Sequence, residues 1–397
     1  MFKFTGELSA SKSWMNRALI LQSWNPSIVI QGQSSADDVI SLLRSLQALK
    51  NTETLFDAGH GGTTFRFLAI RLSRETGRFF IKASPALLKR PQQDLVGFLE
   101  SVGVKAYLKA DGLEIQSEGW KNSGLSVPVN TENSSQFISA VLLSCLDLKH
   151  KTVFQLSKNI ISESYLHMTL ALMRQVGVNL AVNSSVNSSV NQSTIVVPAG
   201  LKAQTVTLKA EPDISSAFSL ICSAVVDGLI KIPNWNSQST QPDIVFLKIF
   251  EQMKIQFQVV GSQFSIAKQS EFIGTEFDLG HSPDLFPVLC ALASFAKSPS
   301  KFYGAPQLKY KESDRLAKTS ELLKLCGVKH QLLDDGMTID PSGLQKPTQE
   351  FAFDPADDHR LAMAAALFKL HSFPIKILNP QVVQKSYPEF FQHIGLL

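Results

Sequence analysis

One pattern constrains this chain more than any other: a helix, a short β-like run, a turn and a second β-like run, repeated four times at near-constant spacing. The first copy runs from Asp94 to Gly103, through Val104–Leu108 and Asp111-Gly112, to Leu113–Ile115. The second has Met168–Gly177, Val178–Val182, a polar loop and Thr194–Val197. The third has Ile244–Met253, Ile255–Val260, Gly261-Ser262 and Phe264–Ile266. The fourth has Ser320–Gly327, Val328–Leu333, Asp335-Gly336 and Met337–Ile339. Leu, Val, Phe and Met at three- and four-residue spacing give each helix one apolar face. Gly ends most of the helices, and Asp-Gly or Gly-Ser closes the hairpins. The helix ends fall at Gly103, Gly177, Lys254 and Gly327, so successive copies are 74, 77 and 73 residues apart. That period is too long for a solenoid and predicts repeated α+β units. Fainter copies lie at Val39–Lys50 and Pro388–Gly395.

A chain of 397 residues is expected to form two domains. Its 44% hydrophobic and 18% charged residues suit large buried cores. The best crossover between halves is the polar passage Gln204–Glu211. The low-complexity tract Val182–Ser193 reads as a mobile hairpin loop. A net charge of +4, from 38 basic against 34 acidic residues without any basic run, argues against nucleic acid. Cys145, Cys222, Cys290 and Cys326 sit in apolar runs without Cys-x-x-Cys spacing and read as buried reduced thiols. No apolar leader or long apolar span is legible, so a cytoplasmic, membrane-free protein is expected. No metal-ligand spacing or cofactor motif is present either, and neither a metal nor a cofactor is expected.

Polar clusters interrupt this apolar text. Ser11-Lys12-Ser13 with Asn16-Arg17 stands at a helix start, where backbone N–H groups and two cations suit an anion. Gly61-Gly62-Thr63-Thr64-Phe65-Arg66 lets backbone approach a ligand. Lys89-Arg90-Pro91, Asn133-Ser134-Ser135-Gln136 and Ser162-Glu163-Ser164-Tyr165 follow. The later half offers Asp284, Lys311-Glu312 with Asp314-Arg315, Asp357-Asp358-His359-Arg360, and Lys385. Taken one at a time, each reads equally well as a helix cap or a surface charge pair.

In order, these clusters resemble the EPSP synthase family of enolpyruvyl transferases over nearly the whole chain. The matching set includes Ser-Lys-Ser-x-x-Asn-Arg, Gly-Gly-Thr-Thr-x-Arg, Ser-Ser-Gln-Phe, Ser-x-x-Tyr, Glu211-x-Asp213, Pro-Asp-Leu, Lys-Glu-Ser-Asp-Arg-Leu, Asp-His-Arg and Lys-Ser-Tyr-Pro. The resemblance implies an α/β fold: a two-domain inside-out α/β barrel, each domain of three βαβαββ units. It puts residues 12–210 in one domain and 1–11 with 211–397 in the other, with the active site in the cleft and a monomer expected. It implies transfer of the carboxyvinyl group of phosphoenolpyruvate to the 5-hydroxyl of shikimate 3-phosphate, by addition and then elimination of phosphate. In that scheme Ser134, Ser135 and Ser162 hold the sugar phosphate. Ser13, Arg17, Gln136, Tyr165, Gln307 and Lys311 complete that subsite. Lys12, Gly62, Arg90, Gln136, Arg315, Arg360 and Lys385 hold phosphoenolpyruvate. Asp284 takes the hydroxyl proton, Glu312 serves the methylene carbon, and Lys12 assists proton traffic.

The sequence departs from the family pattern in places. Trp14 and Met15 are bulky, His60 and Gln307 replace a common Asn, and the opening strand is expected to be short or absent. A UDP-N-acetylglucosamine enolpyruvyl transferase is the nearest rival reading. It fits less well, because Ser13 follows Lys12 and the segment Ala83–Gln93 lacks Cys. A non-catalytic anion-binding relative is the other, and the intact Lys12, Asp284 and Glu312 argue against it.

Overall fold

The repeat has a simple structural basis in the computed structural model, which describes residues 1–121, 124, 126–184 and 193–396. One complete copy runs strand Leu55–Asp57, helix Gly62–Leu72, strand Thr76–Lys82, helix Gln93–Ser101, and strands Lys105–Leu108 and Gly112–Glu118. The first two strands are parallel, and a parallel pair needs a crossover helix between them. The last strand returns antiparallel beside the second and pairs with the third. Three other four-stranded sheets repeat this order. Two further copies are shortened to parallel pairs: Val29–Gln31 with Thr207–Lys209, and Phe351–Phe353 with Ile375–Ile377. Their second helices, Asp37–Lys50 and Phe390–His393, are the faint copies of the sequence. With no hairpin after them, half of the sequence signal is missing.

The chain divides into two units, Lys12–Ala210 and Met1–Ser11 with Glu211–Leu397. Each holds two complete copies and one shortened copy. An opening strand is present, Phe2–Thr5, parallel to Gly228–Ile232. Of the tract expected to be a loop, residues 185–192 lie outside the described residues, between strands Val182–Ser184 and Ser193–Val197. Among the described residues no helix is long and apolar enough to cross a membrane. All four cysteines are free and buried.

The second helix of all six copies ends in one way. A residue at positive φ donates its N–H three residues back, and its successor donates five residues back. The turning residue is glycine at 103, 177, 327 and 395, but Thr52 (φ 62°) and Lys254 (φ 59°) in the other two copies. The Asp-Gly pairs behave differently from the sequence expectation. Gly112 and Gly336 do not adopt positive φ. Glycine is needed there because a Cβ would stand 2.2 Å from the Ile81 oxygen and 2.0 Å from that of Phe302.

The first helices form the core of each unit. Helices Lys12–Trp24, Gly62–Leu72 and Ser135–Ser144 pack together in one unit, and Ile214–Asp227, Phe286–Ala293 and His359–Leu370 in the other. They are buried on nearly every face, and in Phe286–Ala293 all eight residues are inside. The second helices bury only a stripe, such as Leu95, Phe98 and Leu99 of Gln93–Ser101. Polar residues at the first turns of buried helices are therefore exceptional, and four of the sequence clusters fall there, at Lys12-Ser13, Gly62–Arg66, Ser135-Gln136 and His359-Arg360.

Candidate active site

In the 12–210 unit the cations rest chiefly on neutral groups. Arg17 is 2% exposed. Its Nε donates to Thr169 Oγ1 at 2.8 Å, Nη1 to the Ser13 carbonyl at 2.7 Å, and Nη2 to Ser139 Oγ and the Tyr165 carbonyl at 3.4 and 3.3 Å. It thereby ties together the chain at Ser13 and Tyr165. Burial pushes its guanidinium down to about 10, against the opposing effect of Tyr165. Trp14 and Met15 beside it point into the core, so their bulk is absorbed by packing.

Gln136 is held by Arg66, whose Nη1 donates to Gln136 Oε1 at 2.8 Å. Arginine can only donate, so the Gln136 NH2 end is the one turned away from it. Arg66 also donates to Gln92 Oε1 and to the Pro91 carbonyl, next to Arg90. Gly62 opens its helix directly over Arg90: a Cβ there would lie 2.7 Å from Arg90 Nη1. A guanidinium at a helix N-terminus opposes the helix dipole, and an anion lodged there would satisfy both. Ser134 caps helix Ser135–Ser144 by accepting the Gln136 N–H at 3.2 Å. Ser135 is buried, and Ser162 takes φ 54° at the head of helix Glu163–Gln175. Lys12, like the buried Arg71 on Glu75, is instead paired with a carboxylate: its Nζ lies 2.9 Å from Asp38 Oδ2.

The other unit binds cations with carboxylates. Arg315 is 1% exposed and donates Nε and Nη2 to the two oxygens of Asp358 at 2.7 and 3.2 Å. Its Nη1 reaches Asp284 Oδ1 and its Nη2 reaches Glu312 Oε2, both at 2.8 Å. Lys311 Nζ lies 3.2 Å from Asp284 Oδ1, and Lys385 Nζ 2.9 Å from Glu312 Oε1. Six residues singled out in the sequence, Asp284, Lys311, Glu312, Arg315, Asp358 and Lys385, thus share one network. Arg360 joins through Asp358, which accepts its backbone N–H, while Arg360 Nη1 donates to the Ser215 carbonyl at 2.7 Å. Gln307 donates to the Gly280 carbonyl at 3.2 Å. Burial works to raise the Asp284 carboxyl, but Lys311, Arg315 and Arg360 outweigh it and hold it well below the usual carboxylate range. The same carboxylates hold the Arg315 guanidinium above its ordinary value despite its burial.

Four supporting residues had no assigned role in the sequence reading: Asp38, Arg66, Asp243 and Asp358. Asp358 stood in a candidate cluster without a role; Asp before His-Arg is a capping pattern, and it does cap helix His359–Leu370. Asp243, in Gln-Pro-Asp, reads as an ordinary turn.

A curated relative, 3-phosphoshikimate 1-carboxyvinyltransferase 2 of Halalkalibacterium halodurans, is 29% identical over 97% of this chain and 90% of its own length. The 3-phosphoshikimate 1-carboxyvinyltransferase of Methanoculleus marisnigri is 29% identical over 87% of this chain and 80% of its own. Among solved structures, the EPSP synthase of Acinetobacter baumannii is similar with a TM-score of 0.70 at 19% identity, covering 99% of this chain and 95% of that one. The enolpyruvyl transferase NikO of Streptomyces tendae gives 0.70 at 14% identity, covering 99% and 94%. The fold is therefore that of enolpyruvyl transferases. The family model for EPSP synthase (3-phosphoshikimate 1-carboxyvinyltransferase) matches residues 27–394, and this chain belongs to that family.

Proposed function

We propose that this chain transfers the enolpyruvyl group of phosphoenolpyruvate to the 5-hydroxyl of shikimate 3-phosphate, releasing phosphate. The observation that carries the reading is the network in which Arg315 holds Asp284, Glu312 and Asp358 while Lys311 and Lys385 flank the first two. It supplies two carboxylates, bridged by Arg315 and each with a lysine of its own, for the acid and base duties of addition and elimination. In the addition, the 5-hydroxyl oxygen bonds to C2 of phosphoenolpyruvate, its proton goes to Asp284, and C3 gains a proton from Glu312. In the elimination, C3 returns a proton to Glu312, the C2–O bond to phosphate breaks, the leaving phosphate takes up the proton held by Asp284, and the double bond re-forms.

Asp284 is a weak base while three cations crowd it. Polyanionic substrates would draw on those cations, and the basicity of Asp284 would then rise as they bind. Ser134, Ser135 and Ser162, with Ser13, Tyr165, Gln136, Gln307 and Lys311, take the sugar phosphate and ring. Arg17 supports that subsite from beneath. Lys12, Arg90, Arg315, Arg360 and Lys385 serve phosphoenolpyruvate, with Gly62 leaving room beside Arg90. The protein works as a cytoplasmic monomer on small molecules.

A phosphate-release assay tests the reading. Release with shikimate 3-phosphate plus phosphoenolpyruvate is expected. Release only with UDP-N-acetylglucosamine as acceptor, or with neither acceptor, would sink it.

A further inference from the structure

Asp243 is a buried carboxylate with no part in the reaction set out above. It is 1% exposed, in the short turn Pro242–Val245. The Pro242 carbonyl accepts the Ser282 hydroxyl at 2.9 Å, which ties the turn to the segment carrying Asp284. Asp243 Oδ2 accepts the hydroxyl of Ser215, and Oδ1 accepts no hydrogen bond among the described residues. The carbonyl of that same Ser215 receives Arg360 Nη1 at 2.7 Å. A continuous chain thus runs from Asp243 through Ser215 to the Arg360 guanidinium.

Ser215 needs no such partner to start its helix. Asp213 already takes the Ser216 N–H at 2.7 Å, and Gln241 Oε1 takes the Ile214 N–H at 3.1 Å. The link to Asp243 is therefore a lateral tie on a turn that is already capped. It also opposes folding. Burial and the nearby Asp284, with Asp213, push the Asp243 carboxyl up, Arg360 and Ser215 pull it down, and it rests at about 6. A buried acid kept charged at neutral pH against stability points to use.

The geometry points to Asp243 as a positioning residue, which fixes the first turn of helix Ile214–Asp227 through Ser215 and so aims Arg360 at phosphoenolpyruvate. This rests on the assignment of Arg360 made above. Its negative charge works against an anion, so the benefit must come from the hydrogen-bond geometry it imposes.

The test compares Asp243→Asn, which keeps an acceptor oxygen, with Asp243→Leu and Ser215→Ala, which break the tie. The Leu and Ala variants are expected to raise KM for phosphoenolpyruvate about tenfold, the scale of one hydrogen bond to a charged group. KM for shikimate 3-phosphate should stay within about twofold. Asp243→Asn should restore phosphoenolpyruvate KM to near the wild-type value, and the Leu/Ala double variant should be no worse than either single one. The folded-state carboxyl is raised, so its cost is present above its folded value and gone below its unfolded one. Asp243→Asn should therefore raise Tm at about pH 7.5 and not near the unfolded carboxylate value of about 4. Equal rises in both KM values, or an unchanged phosphoenolpyruvate KM in the Leu and Ala variants, would overturn the inference. If Asp243→Leu does not fold, Ser215→Ala carries the test. Should the wild type not turn over these substrates, the functional reading fails on its own. Calorimetry of phosphoenolpyruvate with wild type and Ser215→Ala then decides this inference, and equal affinity or no binding to either overturns it.

Discussion

Arg17 and Arg315 are buried to the same degree, one in each unit, yet their chemistry is opposite. Arg17 is lodged on two hydroxyls and two carbonyls, and burial lowers its hold on its proton. Arg315 is lodged on three carboxylates, which raise it. Neutral lodging leaves a positive charge uncompensated, an asset to an incoming phosphate. Carboxylate lodging neutralises the cation and uses it to orient and acidify the acids around it. On the function proposed above, one architecture repeated in both units would thus serve as a binding platform in one and as acid–base machinery in the other.

The comparison breaks most readily at Glu312. Glu312→Gln is expected to cut turnover about 10²–10⁴-fold, the range of general acid–base catalysis. Calorimetry should find shikimate 3-phosphate affinity little changed. Near-normal turnover would remove Glu312 from the acid–base machinery.

The next largest effect is on stability. Asp358→Ala leaves Arg315 buried without its two-pronged partner, and denaturant unfolding should show a loss of about 3–5 kcal/mol. Ser139→Ala, which removes one neutral acceptor of Arg17, should cost about 1–2 kcal/mol. Equal losses at the two sites would erase the contrast between them.

Binding sharpens it further. Ser134→Ala with Ser135→Ala should weaken shikimate 3-phosphate about ten- to hundredfold by calorimetry, from hydrogen bonds to a charged group worth about 1.5–3 kcal/mol. A smaller change than for phosphoenolpyruvate would place the sugar phosphate elsewhere.

The smallest effect tests the repeat itself. Lys254→Gly should stabilise the fold by about 1 kcal/mol in urea unfolding, because only glycine takes positive φ without strain. Gly327→Ala should destabilise it by about the same amount. No difference between them would mean the turn at 254 is unlike the turn at 327.

Much of this was legible in advance, for reasons that differ by residue. The four complete copies could be read because a helix stripe, its terminating turn and a hairpin each leave a local trace. The shortened copies could not be read clearly, because neither closes with a hairpin and a parallel pair leaves no local pattern of its own. Asp-Gly marked the hairpins correctly, yet glycine is required there for close approach to a neighbouring strand and not for its dihedral freedom. Ser134 could be read as a cap and is one. The partnership of Arg315 with Asp358 spans 43 residues and could not be read.

By itself the sequence determined which residue types stand at the first turns of apolar helices, since periodicity and capping act over a few neighbours. It also determined the count of complete copies. Only the tertiary structure decided which charges neutralise one another and which do not. A buried cation takes its character from the groups packed around it, and those arrive from distant segments through the crossovers of the fold.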